Sequence, residues 1–228
     1  MMGDRLALLR QRSGRLLERK PAIVAEIAAV LLLPALWGFL PLPRSIVPVL
    51  LLAWLSLWLR RRTWRGLGLC TPFSWRAAVL CGLAAGGLIA WAAKVGVPAV
   101  LRWAGREYEP SGLYRLEGNL PLFLLLLASG WLLAALMEEM VFRGYLLNRL
   151  VDLLGESKWG WGVGLGLSAL AFSWPHGVYE LWHLAATALQ GLLLGGLYLV
   201  GRRNLWFSVV AHGTGITVNI ALAFLGVV

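Results

Sequence analysis

The sequence predicts an all-α fold, a polytopic transmembrane helical bundle of about seven spans (six to eight). Three observations predict it. Hydrophobic residues make up 59% of the 228 and charged residues only 14%, against about a quarter charged in a soluble domain. Apolar runs of roughly 15 to 25 residues recur along the chain, long enough to cross a hydrocarbon layer of about 30 Å. Lysine and arginine gather in alternate segments between those runs, the pattern that sets the orientation of membrane helices. That placement also accounts for the formal charge of +10. Charge distributed in this way addresses anionic lipid and the insertion machinery, so the lipid bilayer is the expected partner and nucleic acid is not.

The elements follow in order. Residues 1–20 form a basic segment with Arg5, Arg10, Arg12, Arg15, Arg19 and Lys20, interleaved with Leu6, Leu8, Leu9, Leu16 and Leu17. It is either a helix lying on the inner membrane surface or a basic tail. The first expected span is 22–40. It is too long for the apolar region of a signal peptide and lacks an A-x-A exit, so it is expected to be retained. Glu26, near its inner end, is expected at the interface. The second span, 46–59, is short; Arg60, Arg61, Arg62, Arg65 and Arg76 separate it from the third, 77–101, where Lys94 can snorkel. A mixed segment, 102–119, sets Arg102, Arg106 and Arg115 against Glu107, Glu109 and Glu117. The fourth span is 120–142, followed by Arg149 and Lys158. The fifth is 159–175, the sixth 181–200 with Arg202 and Arg203 after it, and the seventh 205–227. The alternation places the N-terminus in the cytoplasm and, with seven spans, the C-terminus outside. The expected location is a cytoplasmic, bacterial inner membrane. Residues 21–119 and 120–228 are expected to form one integrated membrane domain.

Several conspicuous residue types have structural readings. Gly162/Gly166 and Gly191/Gly195 have the spacing of small residues at helix crossings. Trp58, Trp64, Trp159, Trp161 and Trp206 fall near span ends, where tryptophan anchors helices at the interface. Cys70 and Cys81 are lone thiols with no His or Cys at ligand spacing.

The stretch "ALMEEMVFRGYLL" (135–147) is different. An ionisable group inside a span costs several kcal/mol unless paired, and is a functional candidate for that reason. The candidates are Glu138, Glu139, Arg143, His176 and His212, with Asn219 as a polar neighbour. Glu139 and Arg143 are i and i+4 on one helical face, with glutamate on the favoured N-terminal side. Glu138 points about 100° away from that pair. The roles therefore divide: Glu139 with Arg143 as scaffold, Glu138 as the group that does chemistry. His183 and Glu180 are expected near an interface and solvated.

These residues carry a resemblance. "EEMVFR" (138–143) resembles the EExxxR motif of the CAAX-protease and bacteriocin-processing family, also called Abi. "FSWPH" (172–176) resembles its FxxxH motif, and "GLLLGGLYLVGRRNLWFSVVAH" (191–212) is similar to the stretch leading into its third motif, a histidine in a following helix. The resemblance covers roughly 120–228. It implies an intramembrane endopeptidase of glutamic type, acting on a membrane protein or peptide without a cofactor. Glu138 and His176 would activate water, and His212 would help to stabilise the tetrahedral oxyanion. Arg143 and Glu139 match the family's arginine and second glutamate. The chemistry is coherent on its own terms: amide hydrolysis needs a base for water, a proton for the leaving amine, and donors for the oxyanion.

One position departs from the family pattern. An Asn or Asp usually follows the third-motif histidine by four residues, and here that residue is Ile216. Asn219 is the nearest amide, with Thr214 and Thr217 as alternative donors and "HGTG" (212–215) as a place where the helix can loosen. A second expectation concerns depth. Glu138 and His212 fall in the inner half of the membrane, whereas His176 falls at the outer end of a span starting at 159, unless the Gly-rich "WGWGVGLG" is re-entrant or extends into the cytoplasm. Two alternative functions belong to other classes. One is a metal-dependent membrane protease with Glu138, His176 and His212 on zinc; no HExxH is present, and a nearby arginine disfavours a dication. The other is a non-catalytic scaffold or chaperone, motivated by Ile216. A transporter is disfavoured because no inverted repeat is visible.

Overall fold

The computed structural model describes residues 16–37, 46–106, 116–176 and 181–227. Every regular element among them is helical, and the seven apolar runs correspond to seven helices. These are α1 (Lys20–Trp37), α2 (Val47–Leu59), α3 (Trp75–Trp103), α4 (Leu120–Leu154), α5 (Lys158–Ser173), α6 (Leu181–Val200) and α7 (Leu205–Phe224). Two 3₁₀ turns, Trp64–Leu67 and Trp174–His176, join them. Four helices, α3, α4, α6 and α7, are long and apolar enough to cross a membrane, and α2 is a shorter apolar helix.

Polar residues between the runs start the helices. Ser74, Asn119, Ser157 and Asn204 each accept a backbone N–H from the first turn of α3, α4, α5 and α7. Such caps satisfy donors that the first helical turn leaves open. Helix α7 lies at the centre, packed on α3, α4 and α6. Two glycines of α3 permit its close approach: a Cβ at Gly86 would lie 2.4 Å from the Ala211 carbonyl oxygen, and one at Gly82 would lie 2.6 Å from Val210. Of the two expected glycine pairs, Gly191 and Gly195 do pack tightly, against Ala169 and Leu165 of α5. Gly162 and Gly166 face open space, and it is Gly164 between them that meets Leu147 and Val151. The 3.6-residue period turns only one of these alternating glycines toward α4.

Helix α4 departs most from expectation. It does not end at 142 but runs 35 residues to Leu154. Its polar inner end packs into the bundle, with Leu147, Leu150 and Val151 buried. Asn148 donates to the Gly144 carbonyl at 2.7 Å, and Arg149 pairs with Asp152 at 2.5 Å. Gly155, at φ 98°, ends the helix.

The extension resolves the depth of α5. The Gly-rich start of α5 is regular helix, capped by Ser157. It runs antiparallel to α4, with Gly164 against Leu150 and Phe172 against Phe142. Carrying that register one turn further sets the backbone of position 176 level with position 138. The helix reaches that level because α4 ends deeper than the sequence implies.

The N-terminal helices hold the inner half of α4. Glu26 of α1 is 8% exposed, not interfacial. Arg60, which caps α2, grips both its carboxylate oxygens at 2.7 and 2.8 Å, and Ser56 donates to one of them at 3.0 Å. Arg60 is thus a buried partner rather than a solvated topogenic charge. Around this pair Val30, Ala53 and Leu57 pack against Val141, Tyr145 and Leu146 of α4. The basic segment 1–15 and residues 107–115 lie outside the described residues, as do the side chain of His176 and all of Glu180.

Candidate active site

The site grows from the middle of α4. Two π-helical stretches, Gly130–Glu138 and Met140–Leu146, meet at Glu139. A π turn widens the helix and re-aims side chains, and such turns are frequent at functional sites. Here the Glu139 carboxylate points into the bundle, 0% exposed, whereas Glu138 beside it is half-buried.

Oxygen Oε1 of Glu139 takes two hydrogen bonds. Arg143 Nη1 donates at 2.7 Å, as the i, i+4 spacing predicts. His212 Nδ1 lies 2.9 Å away on α7. A carboxylate only accepts, so Nδ1 carries the proton and Nε2 is the ring nitrogen left for other chemistry. Arg143 is 2% exposed and His212 5%. The guanidinium also donates to the Gly191 carbonyl of α6 at 3.1 Å and lies 4.4 Å over the Phe172 ring of α5. That ring meets His212 edge-on, with centroids 5.9 Å apart. Four helices therefore converge on one buried carboxylate. Glu138 adds its charge to the field at Arg143. Ser208, one turn before His212, is near the carboxylate, but its hydroxyl donates to the Leu205 carbonyl at 3.1 Å.

The oxyanion side is more sparing. Helix α7 runs through "HGTG" without a break. Position 219 therefore sits about 10 Å along the axis from His212. The Asn219 Oδ1 is buried with no hydrogen-bond partner among the described residues. Thr214 packs against Gly86 of α3. The Thr217 hydroxyl donates to the Gly213 carbonyl at 2.8 Å and accepts from Trp131 Nε1 at 3.0 Å. Ile216 fills the crossing with α4, where a Cβ on Gly130 would fall 2.6 Å from its methyl. Apolar packing thus occupies the place of the family's amide. His176 closes the 3₁₀ turn that follows α5. Among the described residues no three His, Cys, Asp or Glu are grouped as a metal site would require.

Sequence reasoning placed Glu139 with Arg143 but did not supply their other partners. Phe172 stands in the quoted "FSWPH" and Gly191 opens the third quoted stretch, yet neither was given a part in the site. A backbone carbonyl acceptor has no side-chain signature.

Residues 120–216 match the family described as type II CAAX prenyl endopeptidase Rce1-like. The match spans all three motifs and agrees with the resemblance read from them. No curated protein and no solved structure matches the chain.

Proposed function

We propose that the protein is an intramembrane endopeptidase of glutamic type, hydrolysing a peptide bond in a membrane-associated protein or peptide. The observation that carries this reading is the Glu139 carboxylate, buried and shared by Arg143 and His212, with Glu138 next to it. A membrane bundle keeps such a polar centre at a cost of several kcal/mol, which function offsets. In this reading Glu138 and His176 take a proton from water, and the oxygen attacks the carbonyl carbon. The oxyanion accepts from His212 Nε2. The proton then passes to the leaving nitrogen as the C–N bond breaks, giving a carboxylate and an amine. Because Nδ1–H is held by Glu139, His212 donates to the oxyanion only when both nitrogens are protonated. Asn219 has no part in this step, since an unbroken α7 sets it a full two turns away.

His212→Ala tests the assignment. Loss of one oxyanion donor lowers turnover by about 10² to 10³, with little change in substrate affinity, because the donor acts mainly in the transition state. A rise in KM at constant kcat would instead make His212 a substrate-binding residue.

One observation favours the metal reading. Metal-ligating histidines usually donate their second N–H to a carboxylate, as His212 does to Glu139. Against it stands Arg143, whose charge already engages the same oxygen. Dialysis against EDTA or phenanthroline separates the two. Activity should survive, with no stoichiometric zinc by elemental analysis. One equivalent of zinc, and inactivation on chelation, would establish the metalloprotease instead.

A further inference from the structure

Helix α6 carries a second polar feature that the catalytic network does not use. His183, Thr187 and Gln190 are spaced i, i+4 and i+7 and share one helical face. His183 is exposed, as expected, and Thr187 and Gln190 are half-buried; the three line a cavity of about 170 Å³ between α6 and α3. The opposite wall is apolar, with Ile89, Ala92 and Val97 of α3. Here α3 is widened by a π turn, Ala92–Gly96. Two of the elements that line the cavity also lead to the catalytic centre. Ile89 packs with Leu194 and with Ala211, the residue before His212. Gln190 immediately precedes Gly191, whose carbonyl holds Arg143.

The polar groups of the stripe are not equivalent. The Thr187 hydroxyl is taken by its own helix, donating to the His183 carbonyl at 2.5 Å. Gln190 is half-buried, and its carboxamide has no hydrogen-bond partner among the described residues. In hydrocarbon an amide left without partners costs several kcal/mol. A lipid chain offers it none. An extended peptide offers one donor and one acceptor per residue, the complement of a carboxamide, and its alternating side chains would meet the apolar wall of α3.

We infer that the cavity between α3 and α6 seats the extended backbone of the peptide to be cut, with the Gln190 carboxamide bonding one of its amides. This rests on the proteolytic reading, and the experiment reads binding rather than turnover. The full-length Glu138→Gln protein, in lipid nanodiscs, is titrated with a fluorescent decapeptide of alternating Leu and Ala. The same is done with copies N-methylated at one amide each. Adding Gln190→Leu should weaken the parent peptide about three- to tenfold, the worth of one hydrogen bond. One N-methylated copy should show that loss against Gln190 and no further loss in the Gln190→Leu protein. Thr187→Val should bind as the parent does, since its hydroxyl is already taken.

Equal binding with and without Gln190→Leu overturns the assignment, as does absence of binding. Displacement of the peptide by a free C16 hydrocarbon, with no dependence on N-methylation, also overturns it and gives the cavity to a lipid chain. Failure of the wild-type protein to cut the peptide would sink the proteolytic reading itself, whatever Gln190 does, and fragments formed at the wild-type rate in the Glu138→Gln sample would remove Glu138 from the chemistry. Intact peptide in that sample with no Gln190 effect would sink only the cavity assignment.

Discussion

Glu138→Gln should lower peptide-bond cleavage by about 10² to 10⁴, the contribution of a positioned general base, while the protein keeps its fold. The substitution preserves shape and removes only the basic oxygen. Stability should be nearly untouched because the buried ion pair belongs to Glu139, whose carboxylate is the one held by Arg143 and His212. Glu138 is half-buried beside that pair and adds its charge to the field at Arg143. The measurement is cleavage of a membrane reporter in proteoliposomes, with thermal unfolding in detergent alongside. Near wild-type cleavage would remove Glu138 from the chemistry, and a membrane scaffold would then account better for the fold. A parallel drop in melting temperature would mean that Glu138 serves structure instead.

The neighbouring glutamates show what a sequence can and cannot tell. Glu139–Arg143 was legible because four residues on a helix fix a distance without knowledge of the rest of the fold. The same geometry turned Glu138 about 100° away from that pair. The His212 contact was not legible in that way. Histidine and glutamate stand 73 residues apart, and only the seating of α7 on α4 brings them together. The motif resemblance named His212 but not its partner. Glu26 and Arg60, 34 residues apart, failed for the same reason: each looked like an interfacial charge because burial is a property of the assembled bundle. The end of α4 was misread on a different ground. Arg143, Asn148 and Arg149 look like the polar edge of a span, yet their partners lie on their own helix and on α6. Once α4 is lengthened, the antiparallel register of α5 carries the backbone of position 176 to the level of position 138. Ile216 was correctly singled out as an exception. Its packing against Gly130 could not be foreseen, because small residues at a crossing reveal themselves only when the crossing is known.

Glu139→Gln should destabilise the protein by about 3 to 5 kcal/mol, the usual consequence of removing one partner of a buried ion pair. Arg143 would remain buried, with a carbonyl from Gly191 and the Phe172 ring but without the carboxylate it contacts. A glutamine oxygen can still accept one hydrogen bond, but it cannot neutralise a guanidinium. Activity should fall with stability, since His212 loses the carboxylate that fixes its ring. The two effects separate in the double variant Glu139→Gln/Arg143→Met. Removing both charges and filling the space with an apolar chain is often neutral for stability, so most of the lost melting temperature should return. Cleavage should not return, because no carboxylate then orients His212. Unfolding of both variants in detergent, followed by thermal scanning and paired with reporter cleavage, checks the separation. Wild-type stability for Glu139→Gln alone would mean that the pair contributes nothing to the fold. Full cleavage by the double variant would show that His212 needs no carboxylate, and the role assigned to Glu139 would fall with it.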